Sequence, residues 1–315
     1  MNKTLKTVLK LCVAVVLLGY ILWTNDLSAV AEHFFAIPLT IWVFVLVLQA
    51  SNVFISAIRL SLFVENHKLR TLLYVRLVSN AYSVILPGQM AAEGVRIYML
   101  GNKEKKYSQA GVAVVLDKII SVLMLFVFGL VGMITTRSLG IGTAAVFVVG
   151  IVVLFLFIFL LEFSFFYCKI NNLLRFFCKS GGKIGKIFSF AVTLLENWKS
   201  YTKDRVRLLK NSLYALLFHL TLSLSGTLMT YGIGGGFYLL DWLWIHAVFT
   251  FALILPISIG GMGVREGSLI ALLGIIGVVP EQALAVSFSF LTLKLAQALV
   301  GVGLMIGAEV FKKER

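Results

Sequence analysis

The chain has 315 residues, 60% hydrophobic and only 13% charged, with a mean hydropathy of +0.98. A soluble domain carries about 25% charged and about 45–50% apolar residues, so this composition excludes a water-facing globule and predicts a polytopic membrane protein. The net charge of +14, from 28 Lys+Arg against 14 Asp+Glu, would suggest nucleic acid in a soluble protein. In a membrane protein it is first a matter of topology, because basic residues gather in cytoplasmic loops, and no nucleic-acid partner is expected.

Four prolines and no alternating ten-residue pattern argue against a transmembrane barrel, and long apolar runs such as 141–166 predict an all-α fold. The first span is predicted from Val8 to Trp23, behind Lys3, Lys6 and Lys10. Ala29-Val30-Ala31 also fits the cleavage pattern of a leader, but seven further apolar segments favour an uncleaved anchor. A connection with Asp26 and Glu32 leads to segment two, Leu39 to Phe63. Segment three, Thr71 to Leu100, is interrupted at Pro87-Gly88 and followed by Lys103, Glu104, Lys105 and Lys106. Segment four spans Ala110 to Thr135, and segment five runs from beyond Arg137 to Tyr167.

Between Lys169 and Lys210 lie ten basic residues against Glu196 and Asp204, while Ile184, Ile187, Phe188, Ala191, Leu195, Trp198 and Leu209 recur near helical spacing. This pattern predicts an amphipathic helix on the cytoplasmic leaflet. Segment six, Ser212 to Tyr231, ends in a glycine-rich turn, Gly232 to Gly236. Segment seven, Trp242 to Val279, is broken at Pro256, Gly260, Gly261 and Gly263, and segment eight runs from Ala283 to Phe311.

Ile85-Leu86-Pro87 precedes Gly94-Val95-Arg96 by six residues, and Ile254-Leu255-Pro256 precedes Gly263-Val264-Arg265 by the same six, 169 positions later. Such a match predicts an internal duplication. The positive-inside rule then places both termini and the Lys103 to Lys106 and Lys169 to Lys210 stretches in the cytoplasm only if segments three and seven each return to the side they entered from. The expected fold is an inverted-topology repeat of six full spans plus two re-entrant hairpins in the cell (inner) membrane. Residues 1–167 would hold the first repeat with its hairpin at 71–101 and, from about 140, the start of the second. Residues 168–210 would form the basic amphipathic segment, and 211–315 the remainder with a hairpin at 241–280. Eight plain spans kinked at Pro87 and Pro256 are the simpler alternative.

A break inside the membrane frees backbone groups that must be buried in protein or line a wet cavity, and the helix that follows presents N–H groups suited to an anion. Arg96 and Arg265 lie about two turns beyond the prolines, and a guanidinium matches phosphate oxygens. Arg59, Arg76, Glu93, Asp117, Lys118, Glu266 and Lys294 also lie in or beside apolar segments, where a charge at the bilayer centre costs about 2.5–3.5 kcal/mol on insertion scales. Arg96, Lys118, Arg265 and Lys294 are therefore expected to line one polar cavity, with Glu93, Glu266, Asp117 and Arg59 beside them. Gln89, Asn80, Tyr82, Ser258 and Gln297 could add hydrogen bonds. The alternative is pairing that serves assembly: Glu93 with Arg96, Arg265 with Glu266, Asp117 with Lys118 or a neighbour.

Catalytic motifs are absent: there is no HExxH, GxSxG or P-loop, and neither His33, His67, His219 and His246 nor Cys12, Cys168 and Cys178 show metal spacing. No enzyme activity, metal or cofactor is expected, and His219 and His246 read as packed or interfacial.

Leu255 to Gly267, with its Pro-x-Ser-x-Gly-Gly-x-Gly-x-Arg-Glu-Gly pattern, together with Arg59 and Leu86-Pro87-Gly88 before Arg96, resembles the flippase-like membrane domain of bacterial lysylphosphatidylglycerol synthases. Lys294 departs from an arginine frequent there. The resemblance implies movement of a lipid between leaflets, an anionic or aminoacylated phospholipid or a polyprenyl-linked lipid. Without a soluble aminoacyl-transferase domain in this sequence, synthesis of that lipid is not implied. Membrane lipids, a second copy in a homodimer and a separate lipid-modifying enzyme are the expected partners. A secondary transporter of a small organic anion, or a membrane glycosyl- or acyltransferase, are the competing classes.

Overall fold

The computed structural model describes residues 3–64, 67–85, 90–104, 107–136, 164–178, 182–202, 204–254 and 261–313. These fold into twelve helices, and no strand occurs among them. In chain order they are α1 (Lys3–Thr24), α2 (Leu27–Phe35), α3 (Leu39–Ser61), α4 (Leu69–Ile85), α5 (Met90–Glu104), α6 (Tyr107–Thr136), α7 (Ser164–Cys178), α8 (Gly182–Thr202), α9 (Arg205–Gly232), α10 (Leu239–Ile254), α11 (Val264–Gly274) and α12 (Pro280–Lys313). Most of segment five, and the break residues Pro87, Gly88, Gln89, Pro256, Ser258 and Gly260, lie outside the described residues.

Among the described residues four helices are long and apolar enough to cross a bilayer, α3, α6, α9 and the 280–307 part of α12, or five spans if the bent pair α1–α2 counts as one. The connection expected at Asp26 is instead the start of a further helix, α2, turned 88° from α1. Asp26 caps it, accepting from Ser28 N–H at 2.8 Å and Ala29 N–H at 3.4 Å, which satisfies two of the first-turn donors. Segments three and seven are each two short helices. At 1.5 Å per residue, α4 and α5 reach only about 25 and 22 Å and α11 about 16 Å, against a hydrocarbon core of about 30 Å. The basic stretch is a helical hairpin, α7 against α8, rather than one surface helix. Leu195 is buried with Val112 and Leu116 of α6, whereas Leu173, Phe176 and Ile187 stay exposed.

The packing is reciprocal. α3 lies on α9, α4 lies on α12, and α6 lies on α10. Thus the first limb of each broken segment packs on the helix that follows the other broken segment. Both crossings have a glycine at the point of closest approach. A Cβ on Gly132 of α6 would sit 2.7 Å from Leu243 and Trp244 of α10, and one on Gly301 of α12 would strike the Leu77 carbonyl of α4. Small residues let membrane helices approach when no hydrophobic force drives them together. Gly132 and Gly301 are again 169 positions apart.

Polar residues fall on inward stripes. In α3, Gln49, Asn52, Ser56 and Arg59 recur three to four residues apart, and Val43, Phe44 and Val47 point outward. In α9, Asn211, His219, Ser223 and Thr230, 8, 4 and 7 residues apart and so on one side of the helix, are all buried. A bundle in lipid puts its apolar residues outside and its hydrogen-bonding groups inside, because lipid offers those groups no partner.

Candidate functional site: a cationic cavity inside the bundle

These inward stripes enclose a cavity of about 320 Å³ to which α3, α4, α5, α6, α9, α10, α11 and α12 all contribute. Part of the lining is apolar: Leu125, Leu222, Trp242, Phe249, Leu253 and Leu293. Trp242 is fixed there because its indole N–H donates to Thr230 Oγ at 2.9 Å, and Gly226 leaves room for its ring.

Another part is charged. Arg76 from α4, Lys118 from α6, Arg265 from α11 and Lys294 from α12 contribute to it, against one carboxylate among the described residues, Glu93 from α5. Three of the four cations named from sequence, Lys118, Arg265 and Lys294, are thus brought to one space. Arg96 is not among the lining residues. It is buried, with Nη1 2.8 Å from Glu93, because that carboxylate lies one turn away on the same helix face. Arg59 and Asp117 also lie behind the cavity wall, paired at 2.8 Å, and Asn211 donates to the same carboxylate at 3.2 Å. Asp117 therefore takes Arg59, not Lys118.

The second break is organised by Glu266. Its Oε2 accepts the Gly263 N–H at 2.7 Å, while Oε1 accepts from the Arg265 guanidinium and from Ser287 Oγ at 3.2 Å. Gly263 and Gly261 have φ of +79° and +82°, a left-handed conformation that costs glycine nothing. The amino terminus of α11, expected to await an external anion, is thus met by the helix's own carboxylate. Arg265 still lines the cavity, held in place by Glu266 and by Ser287 at 3.2 Å.

Arg76 carries the opposite character. Its Nε has no hydrogen-bond partner among the described residues, although both it and Lys118 lie within electrostatic reach of Glu93. Arg76 was legible in sequence as a charge in an apolar segment, but nothing there set it apart. The same is true of Gln49, which lines the cavity in a chain of side-chain amides. Asn80 donates to Gln297 at 3.1 Å and Gln297 donates to Gln49 at 3.2 Å, while Asn52 accepts from Thr221 at 2.8 Å. The polar stripe of α3 was the available signal for Gln49 and Asn52. Lys294 Nζ reaches the Ser83 carbonyl at 3.4 Å.

His219 and His246, read as packed side chains, both line the cavity and hydrogen-bond each other at 3.1 Å. Among the described residues no group of three or more His, Cys, Asp or Glu side chains could hold a metal ion.

An all-α, multi-pass membrane protein with a cationic cavity enclosed by broken and continuous helices is the class these features define. Within that class the sequence matches the family of the lysylphosphatidylglycerol synthase TM region over residues 7–301, and the chain belongs to that family. Neither a curated protein nor a solved structure matches it. The family associates the chain with membrane-lipid function.

Proposed function

We propose that this chain is a lipid translocase whose cavity receives the anionic headgroup of a phospholipid, or of a polyprenyl-linked lipid, while the acyl tails remain in the bilayer. The cationic cavity carries this reading: four cations and one carboxylate among the described residues line it, and a surplus of buried positive charge is costly unless an anion completes it. Its volume of about 320 Å³ is enough for a phosphodiester headgroup. Arg265, pre-oriented by Glu266, offers a guanidinium to the cavity, and Arg76 and Lys118, which share the single Glu93 carboxylate with Arg96, supply surplus charge. The apolar lining at Trp242 and Phe249 suits the glycerol backbone.

An inverted repeat fits the reciprocal packing of α4 on α12 and α6 on α10, with the matched glycines 132 and 301. In that arrangement the two broken segments enter from opposite faces, both termini and the α7–α8 hairpin lie in the cytoplasm, and alternating exposure of one central site moves the headgroup. No catalytic group is assigned; Glu93 and Glu266 both serve as ion-pair partners.

Reconstitution in phosphatidylcholine vesicles containing a trace of acyl-labelled phosphatidylglycerol tests this, with dithionite reporting the outer leaflet. The expected result is protein-dependent equilibration of the label that falls at least tenfold in an Arg76→Gln, Lys118→Gln variant. Absence of any movement by the wild-type chain, or equal movement by the variant, refutes it.

A further inference from the structure

The His219–His246 pair is a buried titratable cluster that the headgroup reading does not use. Its partners favour one tautomer. His219 Nε2 lies 3.0 Å from the Ser121 carbonyl and 3.2 Å from Ser121 Oγ, and because the carbonyl can only accept, it is satisfied when this nitrogen bears the hydrogen. In the neutral ring Nδ1 is then an acceptor, and its partner at 3.1 Å, His246 Nε2, must donate to it. In that arrangement His246 Nδ1 is left with a lone pair and no hydrogen-bond partner among the described residues, on a ring that lines the cavity. The cavity, otherwise rich in cationic donors, thus also presents a nitrogen that can accept a proton.

A proton at His246 Nδ1 leaves the hydrogen-bonded chain intact. A proton at His219 Nδ1 keeps it too, because His246, neutral with its hydrogen on Nδ1, then accepts at Nε2 and the bond only reverses direction. The pair therefore holds one added proton on either ring without losing the link between α9 and α10.

Charge surrounds the pair on every packed element. From α3 comes Arg59, and from α6 Asp117, which neutralises Arg59, and Lys118. Arg265 of α11 is neutralised by Glu266, and Lys294 of α12 lines the same cavity. Arg76 and Glu93 line it from α4 and α5, and Glu196 of α8 is exposed and paired with Arg175. An anion within this cavity offsets an added positive charge on the pair, and by linkage the proton strengthens anion binding equally.

Resting on the translocase reading above, we propose that an anionic headgroup and a proton occupy this cavity together, the proton on the His219–His246 pair, so that lipid movement is proton-linked. A singly charged phospholipid and one proton then move as a neutral unit.

Two measurements test it. In the phosphatidylcholine vesicles with labelled phosphatidylglycerol, a one-unit pH gradient should shift the steady-state leaflet ratio by up to about tenfold, one proton per lipid. A potassium diffusion potential at equal pH should shift it little. A ratio indifferent to pH, or one that follows the voltage as a bare anion would, overturns the proposal. Independently of transport, the wild-type chain in detergent should take up as much as one proton when saturated with short-chain phosphatidylglycerol in weak buffer. The His219→Gln, His246→Gln variant, saturated according to its own binding titration and checked for folding by thermal unfolding, should take up none. No uptake by the wild type, or equal uptake by both, overturns the proposal. Uptake without any lipid movement keeps the proton site and removes the translocase.

Discussion

Arg59 on α3 donates through one nitrogen, Nη2, to both the side chain of Asp117 on α6, at 2.8 Å, and the Asp117 backbone carbonyl, at 2.9 Å. Nη1 reaches Ser121 Oγ at 3.3 Å and the guanidinium lies over the Phe218 ring at 5.6 Å. One arginine thereby joins three helices behind the cavity.

Removing one partner strands the other charge in the interior, which costs about 3–5 kcal/mol for buried pairs. Asp117→Ala is expected to lower thermal stability in detergent sharply. The Arg59→Met, Asp117→Leu double variant should recover much of the loss. A double variant no better than Asp117→Ala would show that the pair is not the cause.

The glycines at the helix crossings give a second prediction. Gly226→Ala would drive a methyl into the Trp242 ring, and Gly301→Ala into the Leu77 carbonyl. Overpacking costs about 1–3 kcal/mol, so both variants should unfold at lower temperature. Gly94→Ala, with open space around the added carbon, is the control and should unfold as the wild type does.

Glu266 joins a helix start to a cavity arginine. Glu266→Gln keeps an oxygen for the Gly263 N–H but loses the charge facing Arg265, whereas Glu266→Ala loses both. Both should weaken the protein, the alanine variant by more. Because Arg265 would then no longer be neutralised by a neighbouring carboxylate, Glu266→Gln should bind short-chain phosphatidylglycerol more tightly in calorimetric titration; unchanged affinity would mean that Arg265 does not meet the headgroup.

Electrostatic capture predicts its own salt dependence. Binding of that lipid in micelles should weaken as ionic strength rises, since screening acts on the approach of the anion. The Arg76→Gln, Lys118→Gln variant should bind less and show a shallower salt dependence. A parallel slope would place the headgroup elsewhere.

Hydropathy and helical period are local properties, so the membrane setting, the all-α class and the two broken segments were legible along the chain. Identical triplets around Pro87 and Pro256 are the basis of the proposed duplication, and Gly132 and Gly301 share the same offset. Membership of the family rested on a motif within the second break, and the match over residues 7–301 agrees.

Which charge faces the cavity and which faces another charge was decided only by tertiary structure. Arg96 and Arg265 occupy matching positions in the two breaks, yet Arg96 pairs behind the wall while Arg265 lines the cavity. His219 and His246 are 27 residues apart, Arg59 and Asp117 58, Asn80 and Gln297 217. The cost of taking a charge or amide out of water is set by the residue itself, which is why composition marks these groups as needing partners. Each partner is whatever the abutting helix presents at that depth, and that depends on crossing points such as Gly132 and Gly301, set by packing between distant segments.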